Sequence, residues 1–181
     1  MFKWILLAVA ACLGAWYYLI DGRKLDEQMV RNFYQQQEHA TYSRDPEALC
    51  AQYAKKLVAT QETRMSGQTT SVTLDQKQAC DKLRETFQFF EQAGEKAGGI
   101  LTIEYAYELH QIDIAPDRKS ATVQFSSVLK MGEAFMQFTT TSTERLERSM
   151  REVQLARADV KTRVMWTPGA LLNPEKYFRA Q

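Results

Sequence analysis

Apolar and polar residues alternate along most of the stretch from Ile100 to Trp166. In its first segment, the odd-numbered positions from Leu101 to Leu109 are aliphatic or aromatic, while the even-numbered positions are mostly polar. A period of two is typical of a strand with one buried and one solvated face. The stretch therefore predicts a curved antiparallel sheet with an apolar inner face.

Three further strands are predicted within this stretch. A turn is expected at Pro116-Asp117, since proline and aspartate favour a reversal of the chain. Charges are dense from Glu144 to Arg151, which indicates either a solvated hairpin end or a functional edge. The predicted inner faces carry Ala121, Val123, Phe125 and Leu129, then Met136, Phe138, Thr140 and Ser142, and finally Ala156, Ala158, Val160, Thr162, Val164 and Trp166.

Two helices are predicted ahead of the sheet. The first spans Leu25 to Tyr42, where apolar residues recur three and four positions apart. The second begins at Asp45-Pro46, because aspartate is a strong N-cap and proline suits the first helical position. Its predicted buried face consists of Leu49, Cys50, Tyr53, Leu57 and Val58.

A third helix is predicted after a short edge strand at residues 68–72. Thr73 and Gln76 have the spacing of a capping box, in which each side chain bonds to the backbone of the other residue. Gly94 and then Gly98-Gly99 are expected to end this helix. Its inward face is predicted to carry Ala79, Cys80, Leu83, Phe87 and Phe90.

Residues 4–20 form a run of seventeen residues without a charge, which just suffices for a transmembrane helix. Small residues lie in the middle of this run and not at its end, so a retained anchor is favoured over a cleaved signal peptide. Lipidation at Cys12 is a further alternative. The chain is therefore divided into an anchor or uncleaved signal (1–22), a domain (23–167) and a tail (168–181).

Cys50 and Cys80 are the two cysteines outside this run, and each falls on the apolar stripe of a predicted helix. An even pair behind an export-type segment suggests a disulfide in an oxidising compartment. Two buried free thiols are the alternative. Basic residues flank the apolar run on both sides and do not decide its orientation. The cysteine pair, together with the apolar run, favours a single-pass protein of the bacterial inner membrane whose domain faces the periplasm.

Three helices, a short strand between the second and the third, and then four longer strands make an order that resembles the nuclear-transport-factor-two-like (SnoaL-like) superfamily. The resemblance spans about residues 25–166 and also rests on the Asp45-Pro46 helix start and on Phe87 and Phe90. It implies an α+β fold in which three helices close a strongly bent sheet into a cone with an internal cavity. Because this fold serves isomerases, dehydratases, binding proteins and secretion-channel subunits, it does not specify an activity.

The resemblance places any catalytic group inside the cone. The alternation of inward and outward positions along the strands, together with the inward face of the third helix, predicts an aromatic and almost uncharged cavity lining without an evident general base. The predicted lining residues are Phe87, Phe90, Tyr105, Tyr107, Phe125 and Trp166. His110 faces outward unless a bulge near Gln111 turns it, or Asp113, inward; a solvated strand end is the alternative. Three cysteines and two histidines provide no paired metal-ligand motif, and no glycine-rich phosphate loop is present, so no metal or other cofactor is expected.

With 23 basic and 22 acidic side chains and no block of like charges, the chain shows no footprint for nucleic acid. Interaction candidates are Arg157, Lys161 and Arg163 on the outer face of the last strand, and Tyr177 and Phe178 in the tail. The first hypothesis is a membrane-anchored, non-catalytic domain that binds a protein partner, or another copy of itself, in a bacterial envelope assembly, as a secretion-channel-like subunit or immunity-type protein. The alternative is a small-molecule-binding protein, or a cofactor-free isomerase or hydrolyase, that uses the aromatic cavity.

Overall fold

A computed structural model describes residues 24–96, 100–132, 136–149, 152–166 and 178–179. The predicted membrane anchor lies outside these ranges, and no helix within them is long and apolar enough to span a bilayer. The class is α+β with three helices, as predicted. In chain order the elements are α1 (Glu27–Tyr42), α2 (Pro46–Ala51), β1 (Tyr53–Met65), β2 (Gln68–Asp75), α3 (Gln76–Lys96), β3 (Ile100–Leu101), β4 (Ile103–Ile114), β5 (Ser120–Met131), β6 (Met136–Ser149), β7 (Glu152–Trp166) and β8 (Phe178–Arg179).

Six strands form one sheet in the order β2-β1-β7-β6-β5-β4, and β3 pairs separately with β8. Neighbouring strands of the large sheet are antiparallel except β1 and β7, which run parallel. The sheet is therefore mixed, which corrects the prediction of a purely antiparallel one. Alternation predicts strands but not their partners, and β1 and β7 lie at opposite ends of the sheet region in sequence.

The second helix is shorter than predicted, because it ends at Ala51 and the chain continues as strand β1. Its start is as expected, since the Asp45 carboxylate accepts hydrogen bonds from the backbone N–H groups of Glu47 (3.0 Å) and Ala48 (2.9 Å). Leu57 is buried whereas Val58 is 47% exposed. Neighbouring residues point to opposite faces in a strand, so the predicted shared helical face was wrong.

Helix α3 is capped by Asp75 and Gln78, not by the predicted Thr73 and Gln76. The Asp75 carboxylate accepts from the Gln78 N–H (2.8 Å), and the Asp75 N–H donates to Gln78 Oε1 (3.1 Å). Thr73 cannot cap the helix because it still pairs with Thr60 in the β1–β2 ladder. The helix also continues past Gly94 to Lys96, so Gly94 does not end it, and the second predicted end signal, Gly98-Gly99, lies outside the described residues.

The helices cover one face of the sheet, here called the inner face, through two apolar clusters. The first lies under α1 and contains Leu25, Val30, Phe33, Tyr34, Leu57, Ala121, Val123, Phe125, Leu146, Leu155 and Ala158. The second lies under the C-terminal half of α3 and contains Phe90, Met131 and Met136, with Ile103, Leu129, Phe138 and Val164 around them.

A disulfide joins Cys50 of α2 to Cys80 of α3, with 5.5 Å between their Cα atoms. This separation is in the usual range for disulfides and supports the predicted pairing. Both cysteines are buried, so the bond lies beneath the surface where the two helices meet.

Candidate functional site

A row of hydroxyl side chains crosses the sheet between the two apolar clusters. Cross-strand pairing places one such residue on each of the six strands, in the order Thr70, Thr63, Thr162, Thr140, Ser127 and Tyr107. The Oγ1 atoms of Thr140 and Thr162 are 3.1 Å apart, and Ser127 and Thr162 are buried. The part of this hydroxyl row at Thr162, Thr140 and Ser127 gives the interior of the domain a polar strip that can donate and accept hydrogen bonds, whereas Thr70 is exposed.

A carboxylate lies on β6, four positions along the strand from the hydroxyl row. Glu144 follows Thr140 and Ser142 on the inner face of β6 and is only 4% exposed. The Tyr34 hydroxyl donates to its Oε2 atom (2.8 Å), and the Ser142 hydroxyl donates to its Oε1 atom (3.2 Å). The interior therefore holds an ionisable acid with a hydrogen bond to each oxygen.

Burial raises the pKa of Glu144 to about 7, although the hydrogen bonds from Tyr34 and Ser142 act in the opposite direction. Burial, together with the neighbouring Glu144 carboxylate, also raises the pKa of Tyr34 far above its usual value. Tyr34 thus keeps its proton while Glu144 titrates near neutrality. A carboxyl group with such a pKa is suited to accept and return protons at physiological pH.

Two further tyrosines respond to the same carboxylate. Burial raises the pKa of Tyr53 to about 12, and the charge of Glu144 adds to this effect. Burial also raises the pKa of Tyr105, which hydrogen bonds to Ser127 of the hydroxyl row. Tyr53 and Tyr105 also border a space between the helices and the sheet, which Glu144 itself does not line.

That space is a cavity of about 200 Å³ where α1, α2 and α3 meet strands β4 and β5. Gln37 lies in its wall, and the Gln37 Oε1 atom is buried without a hydrogen-bond partner among the described residues. A buried acceptor without a partner is uncommon in folded proteins. The remaining lining is largely apolar and consists of Thr41, Leu49, Tyr53, Leu83, Thr86, Phe87, Phe90, Ile103, Tyr105 and Leu129.

The predicted lining residues divide into three groups. Phe87, Phe90 and Tyr105 line the cavity. Tyr107 and Phe125 instead contact the ring of Tyr34, at centroid distances of 6.0 and 5.3 Å. Trp166 is 48% exposed and does not line the cavity, which corrects its assignment, because it is the last residue of β7 at the margin of the sheet.

The prediction of an almost uncharged cone without an evident general base missed Glu144, which is buried on the inner face of the sheet. The dense charges from Glu144 to Arg151 indicated a solvated hairpin end or a functional edge, and neither interpretation places Glu144 inside the cone. Alternate residues of a strand face the same side, so the inward position predicted for Ser142 also places Glu144 and Leu146 inward. Both are buried. The signal in the sequence was thus a single acidic residue at an inward-facing position of a predicted strand.

The predicted bulge is present, since the β4–β5 register shifts between Leu109 and Gln111. It does not bring a catalytic pair inward. His110 is exposed, with its Nε2 atom 2.8 Å from the Ser126 hydroxyl, and Asp113 accepts a hydrogen bond from the Gln111 amide (2.7 Å). Within the described ranges, no three His, Cys, Asp or Glu side chains group as metal ligands do.

The interaction candidates occupy the outer face and the tail. Arg157, Lys161 and Arg163 are exposed on β7. Phe178 is paired with Leu101 in the β3–β8 ladder, whereas Tyr177 lies outside the described residues.

Comparison with solved structures identifies the architecture. No protein-family model and no curated protein matches the chain. A conserved protein from Planctomyces limnophilus superposes with a TM-score of 0.59 at 17% identity, covering 77% of this chain and 98% of that one. An NTF2-like protein of unknown function from Pseudomonas putida KT2440 gives a TM-score of 0.54 at 15% identity, with 75% and 84% covered.

A ketosteroid isomerase-like protein from Erwinia carotovora atroseptica gives a TM-score of 0.51 at 13% identity, covering 76% of this chain and 98% of that one. These similarities show that the domain has the NTF2-like cone fold, as the order of elements indicated. At such identities they show the fold alone, and the activity has to be argued from the site.

Proposed function

We propose that the domain binds a small, mainly apolar molecule in the cavity between its helices and its sheet. The observation that carries this proposal is the unpartnered Gln37 Oε1 atom in an otherwise largely apolar wall. A cavity of roughly 150 Å³ accommodates benzene, so the cavity of about 200 Å³ is of a size for one ring with few substituents. A hydroxyl or amine on that ring would complete the hydrogen bonding of Gln37.

Phenol and anisole, which differ in their hydrogen-bond donor, test this proposal as probes. We expect phenol to raise the thermal midpoint of the full chain, purified in mild detergent, more than anisole does. Leu129→Trp fills the cavity and should abolish the effect, whereas Thr141→Trp, on the exposed outer face, should retain it. Equal responses of the two variants, or no response of the natural chain, would refute binding at this cavity.

Acid–base catalysis without a cofactor is a second candidate, favoured by Glu144. Glu144 does not line the cavity, so this scheme needs a bound molecule that extends beyond the cavity to the carboxylate. The carboxylate then takes up a proton and returns it at another carbon, as in an isomerase, or gives it to the departing hydroxyl group, as in a hydrolyase. Tyr34, which already donates to the carboxylate at 2.8 Å, holds it in place. The ketosteroid isomerase-like name of one structural neighbour agrees with this type of chemistry.

Hydrogen–deuterium exchange of cyclohexanone in D₂O, followed by NMR, measures such proton transfer without knowledge of the natural substrate. The full chain should accelerate exchange at the carbons beside the carbonyl. Glu144→Gln should remove the acceleration while phenol still binds. If exchange is accelerated equally by both proteins, Glu144 is not the base.

For the location of the domain, we propose the periplasmic side of the bacterial inner membrane, held by residues 4–20. The Cys50–Cys80 disulfide and the uncharged run support this proposal, because disulfides persist in oxidising compartments. Reporter fusions at both ends of the chain, with thiol alkylation of intact membranes, test it. A cytoplasmic domain with free thiols would overturn it.

A role in an envelope assembly is supported by the outer face, where Arg163 lies directly opposite Arg64 across the parallel ladder. Like charges in this position repel each other unless an anionic group lies between them. Co-purification from solubilised membranes should recover a partner that is lost in Arg64→Gln/Arg163→Gln. A partner retained by this double variant would exclude the outer face as the binding surface.

A further inference from the structure

Strand β2 forms one free edge of the six-stranded sheet. It pairs with β1 from Gln68 to Asp75, and no described strand lies on its other side. All of its side chains are exposed except that of Leu74, which is half-buried. An edge strand presents a row of backbone N–H and C=O groups that can pair with another strand.

The composition of β2 favours such pairing. From Gln68 to Leu74 it contains no charged residue and no proline, and four of its residues are β-branched: Thr69, Thr70, Val72 and Thr73. Natural edge strands are commonly protected by lysine, proline or a bulge, none of which occurs here. The strand is also regular, since its eight pairs with β1 follow one another without a shift of register.

The opposite edge, strand β4, is protected in several ways. The Tyr42 hydroxyl donates to the Tyr105 carbonyl (2.6 Å) and accepts from the Tyr105 N–H (3.2 Å), which occupies the backbone of this edge strand. Glu104 and Glu108 add charge, and a bulge interrupts the strand after Leu109. The domain thus blocks one edge of its sheet and leaves β2 open.

We propose that β2 pairs antiparallel with β2 of a second copy of this chain, with Val72 at the two-fold axis. Opposite residues of an antiparallel pair share a face, so the axis must pass through a residue and not between two. Centring on Val72 brings this side chain, 40% exposed in one copy, against its counterpart. Thr70 then lies opposite the partner's Leu74, and Thr69 opposite the partner's Asp75, so no like charges meet.

Disulfide trapping tests the register. In a Cys12→Ser background of the full chain, purified in mild detergent, Val72→Cys should form a cross-linked dimer on mild oxidation, because directly opposite Cβ atoms lie roughly 4.5–5.5 Å apart. Thr70→Cys is the matched control on the same face of the same strand. In this register the cysteines at position 70 of the two copies are offset by four residues along the strands, roughly 13 Å, and should not form a disulfide. Absence of the Val72→Cys dimer, or equal linking of both variants, would overturn the proposal.

A charge at the axis provides an independent measurement. Val72→Lys places two like charges opposite each other and should convert the dimer to a monomer in sedimentation experiments. Thr143→Lys, exposed on the outer face of β6, should leave the dimer intact. Circular dichroism shows whether both variants are folded, and phenol binding by Val72→Lys separates this interface from the cavity. A natural chain that is monomeric at all concentrations, or a dimer that survives Val72→Lys, would contradict β2 pairing.

Discussion

The hydroxyl of Tyr34 on α1 donates a 2.8 Å hydrogen bond to the carboxylate of Glu144 on β6, 110 positions later in the chain. This contact fixes the first helix to the middle of the sheet through a polar bond in an otherwise apolar cluster. Because both groups are buried, the strength of the contact depends on the protonation of Glu144. The stability of the domain should therefore change with pH in a defined way.

Glu144→Gln should remove a pH dependence of the free energy of unfolding. Glu144 has a pKa of about 7 in the folded chain, against an ordinary value of 4.5, so between these values the folded state holds a proton that the unfolded chain releases. Stability then falls as the pH rises through this window, by about 3 kcal/mol in total. Urea unfolding at pH 4.5 and 7.5 should show this loss in the natural chain but not in the variant. Parallel profiles would contradict the assignment.

Tyr34→Phe should raise the pKa of Glu144 further, because the hydrogen bond from Tyr34 favours the charged carboxylate. It should destabilise the domain by about 1.5–3 kcal/mol above pH 7, and by less at pH 5, where the carboxyl is neutral. Carbon-13 NMR of the carboxyl group measures the shift. Tyr42→Phe, on the same helix, is the control and should leave the Glu144 titration unchanged.

Reduction of the Cys50–Cys80 bond, or its removal in Cys50→Ser/Cys80→Ser, should lower the free energy of unfolding by roughly 3–4 kcal/mol. The bond closes a loop with a sequence separation of 30, which contains β1 and β2, and so restricts the unfolded chain. Urea unfolding with and without reductant provides the measurement. Identical midpoints would show that the bond does not stabilise the domain.

Asp75→Ala should destabilise the domain by about 1 kcal/mol through loss of the helix cap at Gln78. Thr73→Ala is the matched control two positions earlier and removes no cap, so its effect should be within about 0.5 kcal/mol. Thermal unfolding of the two variants under identical conditions compares them. A larger loss in Thr73→Ala would favour the capping box expected from the sequence over the one in the structure.

Phe90→Ala should cost about 3–5 kcal/mol, because the ring is 7% exposed at the centre of the second apolar cluster. Its neighbour Phe89 is 57% exposed, and Phe89→Ala should cost about 1 kcal/mol or less. Urea midpoints of the two variants test this difference. Similar losses would mean that α3 does not present Phe90 to the sheet.

The strands from β4 to β7 could be predicted because each has one solvated face, so that period two is visible in the residues. Strand β1 was missed because Tyr53 and Leu57 are four residues apart and fit a helical stripe as well as two inward strand positions. The choice between helix and strand for this segment depends on the pairing of β1 with β7, which cannot be predicted from the local sequence. Local chemistry likewise predicted the cap at Thr73 and Gln76, whereas β2 continues to Asp75, so the helix is capped two residues later by Asp75 and Gln78.

The candidate site was predictable only in its aromatic part. Phe87, Phe90 and Tyr105 followed from periodicity, and all three line the cavity. Glu144 was not predicted because it belongs to a stretch of charged residues, although it occupies an inward-facing position of β6. The unpartnered Gln37 oxygen could not be predicted, because a glutamine on a helix reads as solvated until the packing around it is known.

The parallel pairing of β1 with β7 also constrains the order of folding. Ala59 and Ala158 are partners in the ladder although roughly 100 residues separate them, and such distant contacts form slowly. During synthesis, β1 and β2 emerge long before β7, the strand with which β1 pairs. The disulfide between α2 and α3 can close in this interval, because both cysteines precede β4. The oxidised loop would then hold β1 as a preformed unit until β7 completes the sheet.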